Sequence, residues 1–157
     1  SAYLRRYVTK PIGLVMGLNN LADIFKEEYY SSMEGGILEA FGILFKDNVK
    51  IYAYPIEQEN FERYRKQIGI GDNVEVKTGD DGLVTIENLL VAKNLRNLYK
   101  YIRENGFLET IRNCDRQNMK LFSRDAFEQV RKRKPGWKEC LPECVAEMIE
   151  KKDLWKS

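Results

Sequence analysis

The chain has 157 residues, 43% of them hydrophobic and 32% charged, with a formal net charge of +2 and no histidine. That length suits one domain burying roughly two thirds of its unfolded surface, and the composition excludes a disordered chain. The small net charge gives no global attraction to nucleic acid. The lack of histidine removes the commonest general base, the commonest neutral metal ligand and the central member of most Ser or Cys nucleophile arrangements.

Residues 1–11 read as an N-terminal extension and 12–157 as a single α+β domain. Within the extension, Tyr3, Leu4, Tyr7 and Val8 lie among Arg5, Arg6 and Lys10, and the first acidic residue is Asp23. Tyr and Arg carry much of the energy of protein interfaces. Tyr3, Arg5, Arg6 and Tyr7 are therefore interface candidates, facing another subunit with an acidic face or an anionic membrane surface beside it. An acid-free, Arg-bearing stretch is also the composition found near organelle-targeting segments. The uncharged apolar run Pro11 to Ala22 is too short to span a bilayer, so any membrane contact is expected to be peripheral.

Ile12 to Met16, bounded by Gly17, predicts a buried strand. Leu21, Ile24 and Phe25 then recur at helical spacing behind Asn19 and Asn20, either of which suits an N-cap. Ile37, Leu38, Phe41, Leu44 and Phe45 form the apolar face of a second helix, closed by Asp47-Asn48. Val49 to Tyr54 alternates as a strand stopped by Pro55. Glu59 to Gln67 is charged and helical in period, with Phe61, Tyr64 and Ile68 as its apolar side.

Val74 and Val76, then Leu83 to Ile86, flank Thr78-Gly79-Asp80-Asp81-Gly82, which predicts a hairpin because Asp-Gly tolerates positive φ. Leu95, Leu98, Tyr99 and Ile102 define a helix ended by Asn105-Gly106. Ser123 is placed to cap another that carries Phe127 and Val130 inward, and Pro135-Gly136 breaks it. Val145, Met148 and Ile149 mark the last helix, against which Trp155 is expected to be buried. The result is a helix-dominated α+β fold of about six helices, a small sheet and one hairpin.

Three cysteines, Cys114, Cys140 and Cys144, are an odd number that points to a reducing compartment, mitochondrial or otherwise cytoplasmic. Cys140 and Cys144 are separated by Leu-Pro-Glu, which is neither a redox pair nor a zinc knuckle. Without histidine a zinc site would need a carboxylate ligand, so ordinary half-buried thiols and no zinc are expected. The run Arg131, Lys132, Arg133, Lys134, with Trp137-Lys138 beyond, offers a grip on phosphates or RNA. The plainer reading, which is favoured, is a solvated helix end whose cations complement the dipole. Asp80-Asp81 lacks the alternating oxygen ligands of a calcium loop, and Gly69-Ile70-Gly71 lacks the third glycine and following helix of a phosphate loop. Tyr29-Tyr30, Tyr52, Tyr54, Tyr99 and Tyr101 exceed what one core needs and suit protein interfaces.

Ser123, Gly136, Leu141-Pro142, Val145, Met148-Ile149 and Leu154-Trp155 resemble the C-terminal signature of the nicotinamide-mononucleotide adenylyltransferases and related HxGH nucleotidylyltransferases. Val15 to Leu21 resembles the family's Gly-x-Asp-x-Leu element, and Ile37 to Ile43 its following helix, while Pro55 to Lys120 has no counterpart. The resemblance implies a remnant of an α/β nucleotidylyltransferase fold. It also implies where substrate chemistry would sit, and there the chain departs. The HxGH loop, whose histidines stabilise developing triphosphate charge, belongs N-terminal to Ile12 and is not found. Asp125 stands where Thr is expected, Glu128 where Arg is expected, and Asn19 replaces a carboxylate. Two carboxylates facing a triphosphate repel it by about a kcal/mol each at close range.

These departures predict a non-catalytic accessory or scaffold subunit of a larger protein assembly, with no catalytic, metal or cofactor-binding residues, that does not bind ATP. Two alternatives stand beside it. One is a C-terminal fragment of a nucleotidylyltransferase whose catalytic half lies upstream or on a separate chain. The other is an RNA-binding module using 131–138.

Overall fold

The computed structural model describes residues 7, 9–46, 48–68, 75–77 and 81–155. They form two compact units, Ser1–Cys114 and Asp115–Ser157. In the first, the chain runs through β1 (Ile12–Gly17), α1 (Leu18–Ile24), α2 (Gly36–Phe45), β2 (Val49–Tyr54), β3 (Ile56–Glu57), α3 (Gln58–Ile68), β4 (Glu75–Val76), β5 (Leu83–Val84), β6 (Leu89–Leu90), α4 (Arg96–Glu104) and β7 (Leu108–Thr110). The second contains α5 (Ser123–Arg131) and α6 (Glu143–Lys151), joined through a 3-10 turn at Trp137–Cys140. The fold is α+β, 49% helical with about 16% strand.

β1, β2 and β7 form a parallel sheet in the order β1–β2–β7. Parallel neighbours need crossovers, and α1 with α2 supplies the first. The sheet's central strand is its most buried: Val49, Ile51 and Ala53 are inside, while Lys50, Tyr52 and Tyr54 are half-buried on the alternate face. β1 is not the buried strand that its sequence predicts. Gly13 and Val15 are exposed, Val15 by 70%, because among the described residues β1 has a neighbouring strand on one side alone.

One edge of every amphipathic helix here is aromatic or aliphatic, and burial decides which residues are used. α2 buries Ile37, Phe41 and Phe45. Leu38, expected on the same face, is 65% exposed. The rings Tyr99, Phe25, Phe41, Phe45 and Phe107 follow one another with centroid separations of 5.1, 5.0, 5.9 and 4.9 Å, forming a continuous aromatic seam in this unit. Phe61 of α3 is fully buried. No side chain caps α1: Gly17 is its N-cap and Asn19 is inside the helix and buried, so the expected Asn cap is not made.

The expected hairpin is replaced by two longer-range pairings. Leu83 and Val84 pair antiparallel with Glu57 and Ile56, and Glu75 and Val76 pair with Leu90 and Leu89. Asp81-Gly82 does turn the chain: Gly82 has φ 69° and the Leu83 N–H donates to Asp81 Oδ1 at 3.0 Å. The turn chemistry is local, but Val84, Ile86 and Leu89 are buried, and a free hairpin could not bury them. Val74 and residues 78–80 of the predicted hairpin, and the Gly69-Ile70-Gly71 segment, lie outside the described residues.

In the second unit Val130, Trp137, Ala146 and Ile149 form the core, with Leu141 and Leu154 packed against it. Ser123 opens α5 as its first residue rather than capping it, and Phe122 is the N-cap. Phe127, expected inside, is 46% exposed. In α6 the inward face is Ala146 and Ile149, while Val145 and Met148 are exposed.

Three helices end in the same way. The N–H groups of Phe107, Lys134 and Leu154 donate to the carbonyls of Ile102, Gln129 and Ile149, each at 3.1 Å. The residues before them, Gly106, Arg133 and Asp153, take φ of 70°, 45° and 46°. This closure satisfies carbonyls that a helix end leaves open. Glycine takes that φ without strain; Arg133 and Asp153 require other contacts to hold it.

Candidate functional site

The N-terminal interface candidates Tyr3, Arg5 and Arg6 lie outside the described residues. Tyr7 is described and is 73% exposed. The basic run is divided by the structure. Lys132 is paired with Glu128 at 3.2 Å, and Lys138 with Glu150 at 2.7 Å. Arg133 is not a solvated cation: it lies over the Trp137 ring at 4.7 Å, donates to the Leu154 carbonyl at 3.2 Å and stands 3.7 Å from Asp153. Arg131 and Lys134 remain exposed. Four consecutive cations thus do not present one phosphate-binding surface.

Asp125 sits in the first turn of α5, where a carboxylate suits the helix dipole. Glu128, read from sequence as a repulsive group, is compensated. The hydrogen bond from Lys132 and its charge, with smaller contributions from Lys134 and Arg131, hold this carboxyl below its ordinary value. Cys114 and Cys140 are half-buried and donate to the Ile111 carbonyl at 3.3 Å and to Gln129 Oε1 at 3.4 Å. Cys144 departs from the expected half-buried state and is exposed. Among the described residues no group of three or more Cys, Asp or Glu is placed to hold a metal ion, and no helix is long and apolar enough to cross a membrane.

Trp155 corrects the sequence reading most directly. It is 52% exposed, whereas Trp137 is 8% exposed. Trp155 has φ 57° and meets the Phe127 ring edge-on, with centroids 5.8 Å apart and planes at 71°. Asp153 has already turned the chain after α6, so Trp155 reaches the α5 side instead of packing beneath its own helix. With Leu121, Phe127 and Val145 it borders an apolar cavity of about 410 Å³ floored by Val130 and Ile149. Leu121, Phe127, Val145, Met148 and Trp155 are exposed by 44%, 46%, 39%, 54% and 52%. So much large apolar surface on one small unit marks an interaction site more often than a free surface.

The first unit has a smaller counterpart, a cavity of about 320 Å³ between α2 and α4 lined by Leu38, Phe41, Phe45, Leu98, Tyr101 and Phe107. It also holds a polar knot that sequence reasoning missed. Thr110 Oγ1 donates to Glu87 Oε2 at 3.0 Å and accepts from the Ile86 N–H at 3.4 Å. The Tyr99 hydroxyl donates to the Ile86 carbonyl at 2.7 Å. Burial pushes the Glu87 carboxyl upward, but hydrogen bonds from the Thr85–Thr110 surroundings and its own backbone, with the Arg103 charge, bring it below its ordinary value. These partners are far apart in sequence, and no local pattern announces them. Asn19 Oδ1 is buried with no hydrogen-bond partner among the described residues.

No protein-family model, curated protein or solved structure matches this chain.

Proposed function

We propose that this chain is a non-catalytic accessory or scaffold subunit of a larger protein assembly, held there by side chains of its 115–157 unit. The observation that supports this reading is the apolar surface of Leu121, Phe127, Val145, Met148 and Trp155. Aromatic and Met side chains are the types enriched where proteins meet, and Phe127 and Trp155 are already set edge-to-face, which lowers the cost of fixing them on association.

The test is gentle native purification followed by sizing and composition analysis. The chain should co-elute with another protein above the mass of one chain, and Phe127→Ser with Trp155→Ser should release it. Elution at the mass of one chain with no co-purifying protein would overturn the proposal. The reading as the C-terminal part of a nucleotidylyltransferase draws support from the parallel pairing of β1, β2 and β7. The upstream reading frame separates the two: an HxGH segment encoded before Ser1 would favour the enzyme, and a start codon or targeting peptide there would favour the subunit.

A further inference from the structure

The apolar surface of the 115–157 unit has a charged border, and on both helices that border is positive. On α5 the exposed residues three before and four after Phe127 are Arg124 and Arg131. At the end of α6 the exposed residues three and four after Met148 are Lys151 and Lys152. Residues three and four apart are neighbours on a helix surface, so each of these cations stands beside an exposed apolar side chain. None of the four forms an ion pair among the described residues.

The acidic residues of the same helices are turned elsewhere or already engaged. Asp125, two residues before Phe127, lies in the first turn of α5 and close to its opposite side. Glu128 is held by Lys132 at 3.2 Å. On α6, Glu143, Glu147 and Glu150 share by their spacing the face opposite Val145. Glu150 is held there by Lys138 at 2.7 Å. Phe127, Val145, Met148 and Trp155 thus present an apolar patch bordered by positive charge. The patch is also hollow, because its cavity of about 410 Å³ reaches down to Val130 and Ile149.

We infer that the partner places an acidic amphipathic helix here, its apolar face in the cavity and its Asp and Glu side chains beside Arg124, Arg131, Lys151 and Lys152. The inference rests on the reading of this surface as the docking surface and names the chemistry of what docks. A hollow lined from two helices takes the apolar anchors of a third at i, i+3, i+4 and i+7. Cations at its rim then select and orient a segment of opposite charge. A second copy of the chain suits the patch poorly, since a two-fold contact sets the same cations against each other. An anionic membrane is met by side chains that project from a helix face. Val130 and Ile149 are recessed, where a partner's side chain reaches them and a flat surface does not.

Carbodiimide coupling of the natively purified assembly joins an ammonium to a carboxylate in contact, without a spacer, and so reads the occupant. Lys151 or Lys152 should be joined to Asp or Glu in a segment of another polypeptide whose apolar residues recur at helical spacing. That segment, made as a free peptide, should gain helix on binding the isolated chain and should not bind Phe127→Ser with Trp155→Ser. Arg124→Gln with Arg131→Gln should weaken its binding on the order of tenfold or more, and Arg124→Lys with Arg131→Lys should restore most of it. Suppose Phe127→Ser with Trp155→Ser releases the partner, yet neither lysine couples or the coupled segment lacks that pattern. The inference is then overturned and the docking surface stands. Binding undiminished by Arg124→Gln with Arg131→Gln has the same consequence. A partner retained by Phe127→Ser with Trp155→Ser removes the docking surface and this inference with it. Coupling to a second copy, or to a further segment of the chain's own polypeptide, would overturn it as well. So would sedimentation of the isolated chain with phosphatidylserine vesicles that Phe127→Ser with Trp155→Ser abolishes, because the surface would then serve a membrane.

Discussion

The guanidinium of Arg133 lies 4.7 Å from the centre of the Trp137 ring while its Nη2 donates to the Leu154 carbonyl at 3.2 Å. One side chain thus ties together the end of α5, the only buried tryptophan among the described residues and the turn after α6. The contacts also explain how a non-glycine residue is held at φ 45°, a conformation that otherwise costs about 1–2 kcal/mol. A residue that looks like one of four surface cations is a structural clamp.

Arg133→Ala should therefore destabilise the chain by about 1–2 kcal/mol, combining the cation–ring contact with a lost charged hydrogen bond, discounted for partial exposure. Arg133→Lys should recover little of it, because an ammonium lacks the planar fork that meets ring and carbonyl together. Arg131→Ala, at an exposed position, should change stability by less than about 0.5 kcal/mol. Urea melts of the three variants decide it; equal effects at 131 and 133 would show that the clamp carries no energy.

The two tryptophans should separate just as sharply. Trp137, at 8% exposure, belongs to the core of its unit, and Trp137→Ala should cost about 3–5 kcal/mol. Trp155→Ala should cost about 1 kcal/mol or less, the worth of one exposed edge-to-face contact with Phe127. The small cost at Trp155 departs from the burial expected of it from sequence, and denaturant midpoints for the pair measure the difference.

Periodicity located the helices because local spacing and local stops are written in the chain. Leu95, Tyr99 and Ile102 with Asn105-Gly106 define α4, and Val49 to Tyr54 with Pro55 defines β2. What escaped was set by residues distant in sequence. Val84 pairs with Ile56 rather than with the Val76 side of its own turn, because burial of both outweighs the preference of Asp81-Gly82. Phe127 and Val145 obey helical spacing yet face outward, since spacing gives a stripe but not which edge of it meets the core. The basic run was legible as a run. That Arg133 leaves it for Trp137 depends on the φ of Arg133 and on the turn at Asp153, which no composition reveals.

The Tyr99 hydroxyl donates to the Ile86 carbonyl at 2.7 Å inside the first unit. Burial, the largest influence, raises the phenol's pKa, with Arg103 opposing and Glu87 assisting. The folded chain thus holds this proton more tightly than the unfolded chain, whose phenol titrates near about 10. The stability it contributes is complete below that value and falls as pH rises past it. Tyr99→Phe should lower stability near neutrality by about 1 kcal/mol through the lost hydrogen bond. The same substitution removes the titrating group, so the alkaline decline should be shallower and the two stability curves should converge above about pH 10. Urea melts at intervals through the alkaline range supply both curves; parallel curves would mean that Tyr99 does not govern the alkaline limb.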